Sequence, residues 1–356
     1  MNVGRRTLLA VVVLMALAVA AILIWQNSRA NDRTSVRTSN NGQVVRLAEG
    51  APVEQPKPAR RYRIGVLFPF LASPFWVNEA YGVTDQARAL GVDLVWYSAD
   101  GYDNIDKQNS QLEDLVSKHV DAILIAATSS TGTAPVVDRA AAAGIPVFAH
   151  VTSSTSSHII SAVLDDDLEI GRKQAAFLGK ALGGKGQVAM LNGPAAAEWS
   201  SLRARGFKEV IARDFPGIKI VAERFGIPDR ADAQRLAEDL FSAFPKLAGL
   251  FTVADGMAMG AADAARQAGR QPDAMVITTA SFSREAVPYM LSGAIDLNVD
   301  ENPVKIGRVA INTVVHGLNG KSIPKTTYVP NPAMTRETVG KVDPKLQWAP
   351  DTWRLR

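Results

Sequence analysis

Short apolar runs recur along this chain, and the stretch between each pair carries its apolar residues at helical spacing. Tyr62–Phe68, Val92–Tyr97, Ala122–Ala126, Ile145–Ala149 and Ile159–Val163 read as strands, with Gly91 and Gly144 standing where helix C-caps are expected. Strand, helix, strand in this order implies parallel sheets joined by right-handed crossovers. A second set follows: strands at Gln187–Leu191, Ile218–Glu223, Leu250–Ala254 and Met275–Thr279, with helices near 167–182, 200–214, 230–244 and 257–268. So many strands exceed one comfortable open sheet, so the expected fold is α/β, two doubly wound parallel-sheet lobes joined by a hinge with a ligand cleft between them. The expected division is an N-lobe of 62–164 and 277–299, a C-lobe of 165–276 and 300–325, and a Pro-rich C-terminal tail, 326–356, packed on both.

Before the first strand the sequence changes character. Arg5 and Arg6 precede an uncharged apolar run from Leu8 to Trp25, so residues 1–26 read either as a cleaved secretory signal or as a retained membrane anchor. Residues 27–61 are polar, lack periodicity, and are expected to form a disordered linker. The formal net charge of +4 is concentrated here, because residues 1–62 hold nine Lys/Arg against three Asp/Glu. The remainder, with 30 basic and 32 acidic residues, is close to neutral, which removes the main support for nucleic-acid binding. An exported, periplasmic protein is expected, and with no cysteine it holds neither disulfides nor a lipid-modified cysteine.

Catalytic chemistry finds little support. His119, His150, His158 and His316 lack metal-ligand spacing and read as solvated or core-edge residues, and no nucleophile elbow is present. Gly183-Gly184-Lys185-Gly186 follows a helix rather than a strand, so it reads as a turn and not a phosphate cradle. Asp165-Asp166-Asp167 could mimic a metal cluster, but Asp166 or Asp167 more simply caps the helix that begins there. The expectation is a protein that is not an enzyme, with no cofactor and no metal.

Several residues fall instead where strands end or helices start, on the edge at which open α/β sheets place ligands. The strand near Ile64–Phe68 runs into a loop carrying Phe70, Phe75 and Trp76, a stiff aromatic platform beside Pro69 and Pro74. Ser73, Phe75, Trp76, Asp166, Trp199, Arg203, Asp255 and Glu301 are the candidate ligand-binding residues. Phe75 and Trp76 would stack on an apolar ligand face, Arg203 would offer its planar fork, and the carboxylates would accept from hydroxyls. Each also has a plainer account: Asp255 as a helix cap, Arg203 in a surface ion pair, Trp199 as a lobe-packing residue.

Ser73-Pro74-Phe75-Trp76, Asp166 with Gly171, Arg203-Ala-Arg-Gly-Phe207, Ala254-Asp-Gly-Met-Ala-Met-Gly-Ala261 and Pro303 with Ile306-Gly307 resemble, in order and spacing, the type I periplasmic solute-binding proteins of the ribose/galactose-binding kind. The resemblance covers about Arg63 to Lys321 and implies capture of a small polar ligand between two lobes and presentation of the closed form to an ABC-transporter permease. Residues 66–103 are also similar to the periplasmic sensor of the trimethylamine-oxide reductase system, which implies a sensor histidine kinase ectodomain as the alternative partner.

Overall fold

A computed structural model describes residues 42–195, 197–271 and 274–355; the apolar N-terminal run lies outside the described residues. Among the described residues no helix is long and apolar enough to cross a membrane. Two sheets organise the chain. The N-lobe sheet is built on β2 (Arg63–Phe68), β3 (Asp93–Ser98), β4 (Ala122–Ile125), β5 (Val147–His150) and β6 (Ile159–Leu164). The C-lobe sheet is built on β7 (Lys185–Asn192), β8 (Gly217–Phe225), β9 (Leu247–Thr252), β10 (Val276–Ala280) and β11 (Leu297–Val299).

The spatial orders β3-β2-β4-β5-β6 and β8-β7-β9-β10-β11 are the same doubly wound pattern, and every pairing within them is parallel. Helices cover both faces of the N-lobe sheet. On one side lie α1 (Pro74–Leu90) and α9 (Pro303–Leu318), whose Trp76, Ala80, Val83, Ile306 and Val314 pack on Val66, Phe68 and Leu124. On the other, Leu112 and Leu115 of α2 (Ile105–Ser117) and Val136 and Val137 of α3 (Ala134–Ala142) pack on Leu67, Ile123 and Ile125. Such two-sided burial is why the strands read as continuous apolar runs rather than alternating ones. The C-lobe sheet is likewise flanked by α4 (Asp167–Ala181), α5 (Glu198–Asp214), α6 (Arg230–Ala243), α7 (Asp255–Gln267) and the short α8 (Val287–Ser292).

Local signals set the helix that opens toward the cleft. Ser73 is the N-cap of α1, accepting from the Trp76 amide at 3.5 Å, and Pro74 fits the first turn, where its missing N–H leaves no intrahelical bond unmade. Gly91 ends the helix at φ 68°, a left-handed conformation that spares a Cβ the usual clash.

The division of the chain between lobes differs from the sequence expectation. Residues 277–299 supply β10 and β11 to the C-lobe sheet, while α9, within 300–325, packs on α1 of the N-lobe, so the two segments exchange places. The 27–61 linker is also folded from Gln43 onward. There β1 (Val44–Arg46) pairs with β12 (Thr326–Tyr328), and the Glu54 and Lys57 carbonyls accept from Asn312 and Asn319 on and just beyond α9. The tail is structural rather than superficial: β12 lies inside the N-lobe sheet between β1 and β6, and β13 (Ala333–Met334) joins the edge of the C-lobe sheet antiparallel to β11.

Among the described residues the chain thus crosses between the lobes after β6, after β11 and between β12 and β13, and again in the tail from Trp348, packed on Phe282, to Trp353, packed on Tyr81; one residue stitches the first three crossings together. The Asn331 amide donates to Asp165 Oδ1 at 2.9 Å and to the Asp300 carbonyl at 3.2 Å, and its carbonyl oxygen accepts from the Asp166 amide at 3.3 Å. Asn302, left-handed at φ 57°, donates to the Pro330 carbonyl at 2.9 Å. The crossing is thus a compact hydrogen-bonded hinge.

The helix pair α1–α9 crosses at glycines. A Cβ on Gly82 would be driven into the Val304 carbonyl, and one on Gly307 would sit 2.5 Å from the Glu79 carbonyl. Gly82→Ala and Gly307→Ala are each expected to lose about 1–3 kcal/mol in chemical denaturation, as overpacked backbone contacts do, whereas Gly340→Ala, with nothing within 4 Å, should change stability by less than about 0.5 kcal/mol.

Candidate functional site

The carboxyl ends of both sheets converge on one cavity of about 430 Å³, in the size range of small-molecule sites. From the N-lobe come the loop after β2 with Phe70 and Ser73, the start of α1 with Phe75, Trp76 and Asn78, Tyr102 from the loop after β3, and Val151 and Thr152 from the loop after β5. The crossing peptides contribute Asp165 and Glu301, and the C-lobe contributes Asp167, Trp199, Arg203, Asp255 and the loop Ser281–Ser283. Val151 and Ser281, which follow β5 and β10, both hold positive φ, 57° and 70°. For a β-branched valine that is a strained conformation, so the surrounding backbone must impose it.

The aromatic wall is self-supporting. Trp76, only 3% exposed, packs edge-on against Phe68 at 5.6 Å and Phe75 at 5.1 Å between ring centroids, and Phe70 meets Tyr102 at 5.3 Å. The Tyr102 hydroxyl has its pKa raised, desolvation outweighing the opposing effect of Trp76. Trp76 therefore lines the cavity as a locked plate, with Phe75 beside it.

Opposite lies a buried ion network centred on Arg203, 2% exposed. Its Nε donates to Asp167 Oδ1 at 2.8 Å, one terminal nitrogen donates to the Val253 carbonyl at 2.9 Å, and the other to Glu301. Burial alone would lower the guanidinium pKa, but Glu301 and Asp167 together hold it above its ordinary value. The guanidinium also lies 5.2 Å over the Trp199 ring. Burial pushes the Asp167 carboxyl up to about 6 despite Arg203, and Asp165 well above its usual range, with Glu301 adding repulsion to both. Burial also lifts Asp255 to about 7, against a 2.7 Å bond from the Ser283 amide, and Asp300, behind the cavity, to about 7.

Of the residues singled out from sequence, Ser73, Phe75, Trp76, Trp199, Arg203, Asp255 and Glu301 surround this cavity. Asp166 does not. Its side chain accepts from the Glu169 amide at 3.1 Å to cap α4 and pairs with Arg46 on the linker strand, while its neighbours Asp165 and Asp167 line the cavity. Asp165 and Tyr102 were missed, although both follow strand carboxyl ends, the rule that located the others. Arg203 is not a surface ion pair but a buried one. His150 is no core-edge residue either: fully buried at the end of β5, it meets Glu79 at 2.7 Å, a carboxyl whose pKa burial raises and His150 partly restores. Among the described residues no group of acids and histidines is placed to hold a metal ion.

Removing Arg203 leaves Asp167 and Glu301 buried without their partner, so Arg203→Met is expected to destabilise by about 3–5 kcal/mol in urea titration, with Arg203→Lys between it and the parent. The raised carboxyls also set a pH dependence. Asp255 and Asp300 keep their protons to about 7 when folded, against an unfolded value of about 4, so the folded state binds more protons between those limits. Their contribution to stability is complete below about pH 4 and is lost as pH rises toward 7. The melting temperature of the ligand-free protein should accordingly fall between pH 5 and pH 7.5, and less steeply for Asp255→Asn; identical slopes in parent and variant would contradict the assignment.

Residues 64–322 match the periplasmic binding protein domain. The ribose import binding protein of Bacillus subtilis is 28% identical over 284 residues, spanning 78% of this chain and 90% of that protein. The D-allose-binding periplasmic protein of Escherichia coli is 28% identical over 268 residues, 73% of this chain and 86% of that one. A solved substrate-binding protein of a sugar ABC transport system from Bordetella parapertussis superposes with a TM-score of 0.78 at 26% identity, covering 85% of this chain and 98% of the other. With the duplicated doubly wound sheets and the interlobe cavity, these matches place the chain in the periplasmic binding protein family, as a solute-binding protein.

Proposed function

We propose that the chain captures a small, hydroxyl-rich solute between its lobes in the periplasm and presents the closed form to the membrane subunits of an ABC importer. The observation that carries this reading is a cavity in which an aromatic plate from one lobe faces buried carboxylates and a guanidinium from the other. Aromatic faces suit the C–H surface of a polyol ring, and carboxylates suit its hydroxyl donors. Relatives named for ribose and D-allose binding support the same ligand class.

Capture needs no covalent step. A ligand touching both walls binds the closed arrangement more tightly than the open one and shifts the hinge equilibrium by that difference. The three crossing peptides held by Asn331 give a short, well-defined axis for the movement. The reading is of a binding protein rather than an enzyme, held at or released from the membrane according to the fate of its N-terminal apolar run.

Thermal-shift screening of the full chain in mild detergent against sugars and polyols should return a hit that raises the melting temperature. Trp76→Ala and Phe75→Ala should each weaken that hit at least about tenfold in calorimetry, and the hit should be recovered chemically unchanged. A screen with no hit, or a hit that is turned over, overturns capture. Pull-down from membranes with the ligand-loaded form should return permease subunits; recovery of a sensor kinase instead would transfer the same capture step to signalling.

A further inference from the structure

Resting on the capture reading, we propose that the ligand carries a protonated amine among its hydroxyls, as an amino sugar or amino polyol does, rather than being a neutral sugar. The charge inventory of the cavity points there. Its lining holds five acidic side chains, Asp165, Asp167, Asp255, Glu285 and Glu301, against two cations, Arg203 and Arg230, and no lysine or histidine. Both cations already have carboxylate partners, although Arg230 is half-exposed. Arg203 is spent on Asp167 and Glu301, and Arg230 pairs with Asp263 of α7 at 2.5 Å.

Asp165 and Asp255 are left with neutral donors: the Asn331 amide for one and the Ser283 backbone N–H for the other. Glu301 adds a second, independent sign. It is 5% exposed and lines the cavity, and while one carboxylate oxygen meets Arg203, Oε2 has no hydrogen-bond partner. A buried carboxylate oxygen without a donor is costly, and Glu301 is a residue of the cavity wall.

The N-lobe wall offers no countercharge. Val151 is apolar and the Thr152 hydroxyl is committed to the Ala127 carbonyl at 2.9 Å. What that wall offers instead is aromatic: Phe70, Phe75, Trp76 and Tyr102 present ring surface, which attracts a cation through its quadrupole. The raised carboxyls of Asp165 and Asp255 are consistent with a site short of positive charge. A primary ammonium supplies both the missing charge and N–H donors, whereas a neutral polyol supplies donors only.

Calorimetry on the full chain in mild detergent tests this with matched pairs: D-glucosamine and D-glucose, D-galactosamine and D-galactose, 1-amino-1-deoxysorbitol and sorbitol, and an aminocyclitol with its parent cyclitol. The expected result is at least one amine binding tenfold or more tightly than its hydroxyl counterpart, with N-acetylation abolishing the preference. Asp255→Asn and Asp165→Asn should shrink that preference at least about fivefold whatever they do to the neutral partner's affinity, and a cooperative thermal unfolding transition in each variant reports that it folds. A neutral probe equal to or tighter than its amine overturns the ammonium assignment and leaves capture standing. Binding of neither series overturns both.

Discussion

Arg203 is the interaction on which the two halves of this molecule depend. A guanidinium taken fully out of water is tolerated only if its charge and its donors are answered locally, and here the answers come from different parts of the fold: Asp167 from the start of a C-lobe helix, Glu301 from a crossing peptide, and the Val253 carbonyl from the end of a C-lobe strand. The same network fixes where the strand ends and helix starts must lie relative to the hinge. It also brings carboxylates together where mutual repulsion and burial raise their pKa values, so the site's geometry and its electrostatics share one origin.

The architecture is a duplication of one topological idea. Each lobe places its first strand beside the point where strand order reverses, and ligand-facing loops gather at the carboxyl edge of each sheet. Facing two such edges across a hinge encloses a volume that neither could enclose alone. The close approach of α1 and α9 through Gly82 and Gly307 keeps the N-lobe wall rigid behind its aromatic plate.

Sequence periodicity was enough to read the strands and helices, because two-sided burial writes apolar runs and one-sided burial writes helical spacing. Seven of the eight candidate site residues line the cavity, since strand ends and helix starts can be located to within a residue or two. That margin explains Asp166: at a tight strand-to-helix turn successive side chains diverge, and one aspartate caps while its neighbours face inward. The exchange of segments between lobes left no local trace, because a strand or a helix has the same pattern whichever sheet receives it. Nor did periodicity reveal that the polar stretch from Gln43 is folded, since β1 is short and its partner lies far away in the chain. His150 and Glu79 were equally silent, being two polar residues that meet across separate elements, with Glu79 Oε2 and His150 Nε2 still unpartnered.

The placement of β12 has a consequence for how such a chain is made. Because β12 follows the C-lobe strands β7 to β11 in sequence yet sits between β1 and β6, the N-lobe sheet is finished only after those strands have been made. Until then β6 presents an unpaired edge, and such edges recruit other strands. A chain made from its N-terminus would thus carry an open-edged N-lobe until the C-lobe strands had been made beyond it. Docking of β12, rather than local folding, would be the event that seals the sheet, which makes the interval before it the period of greatest exposure to aggregation.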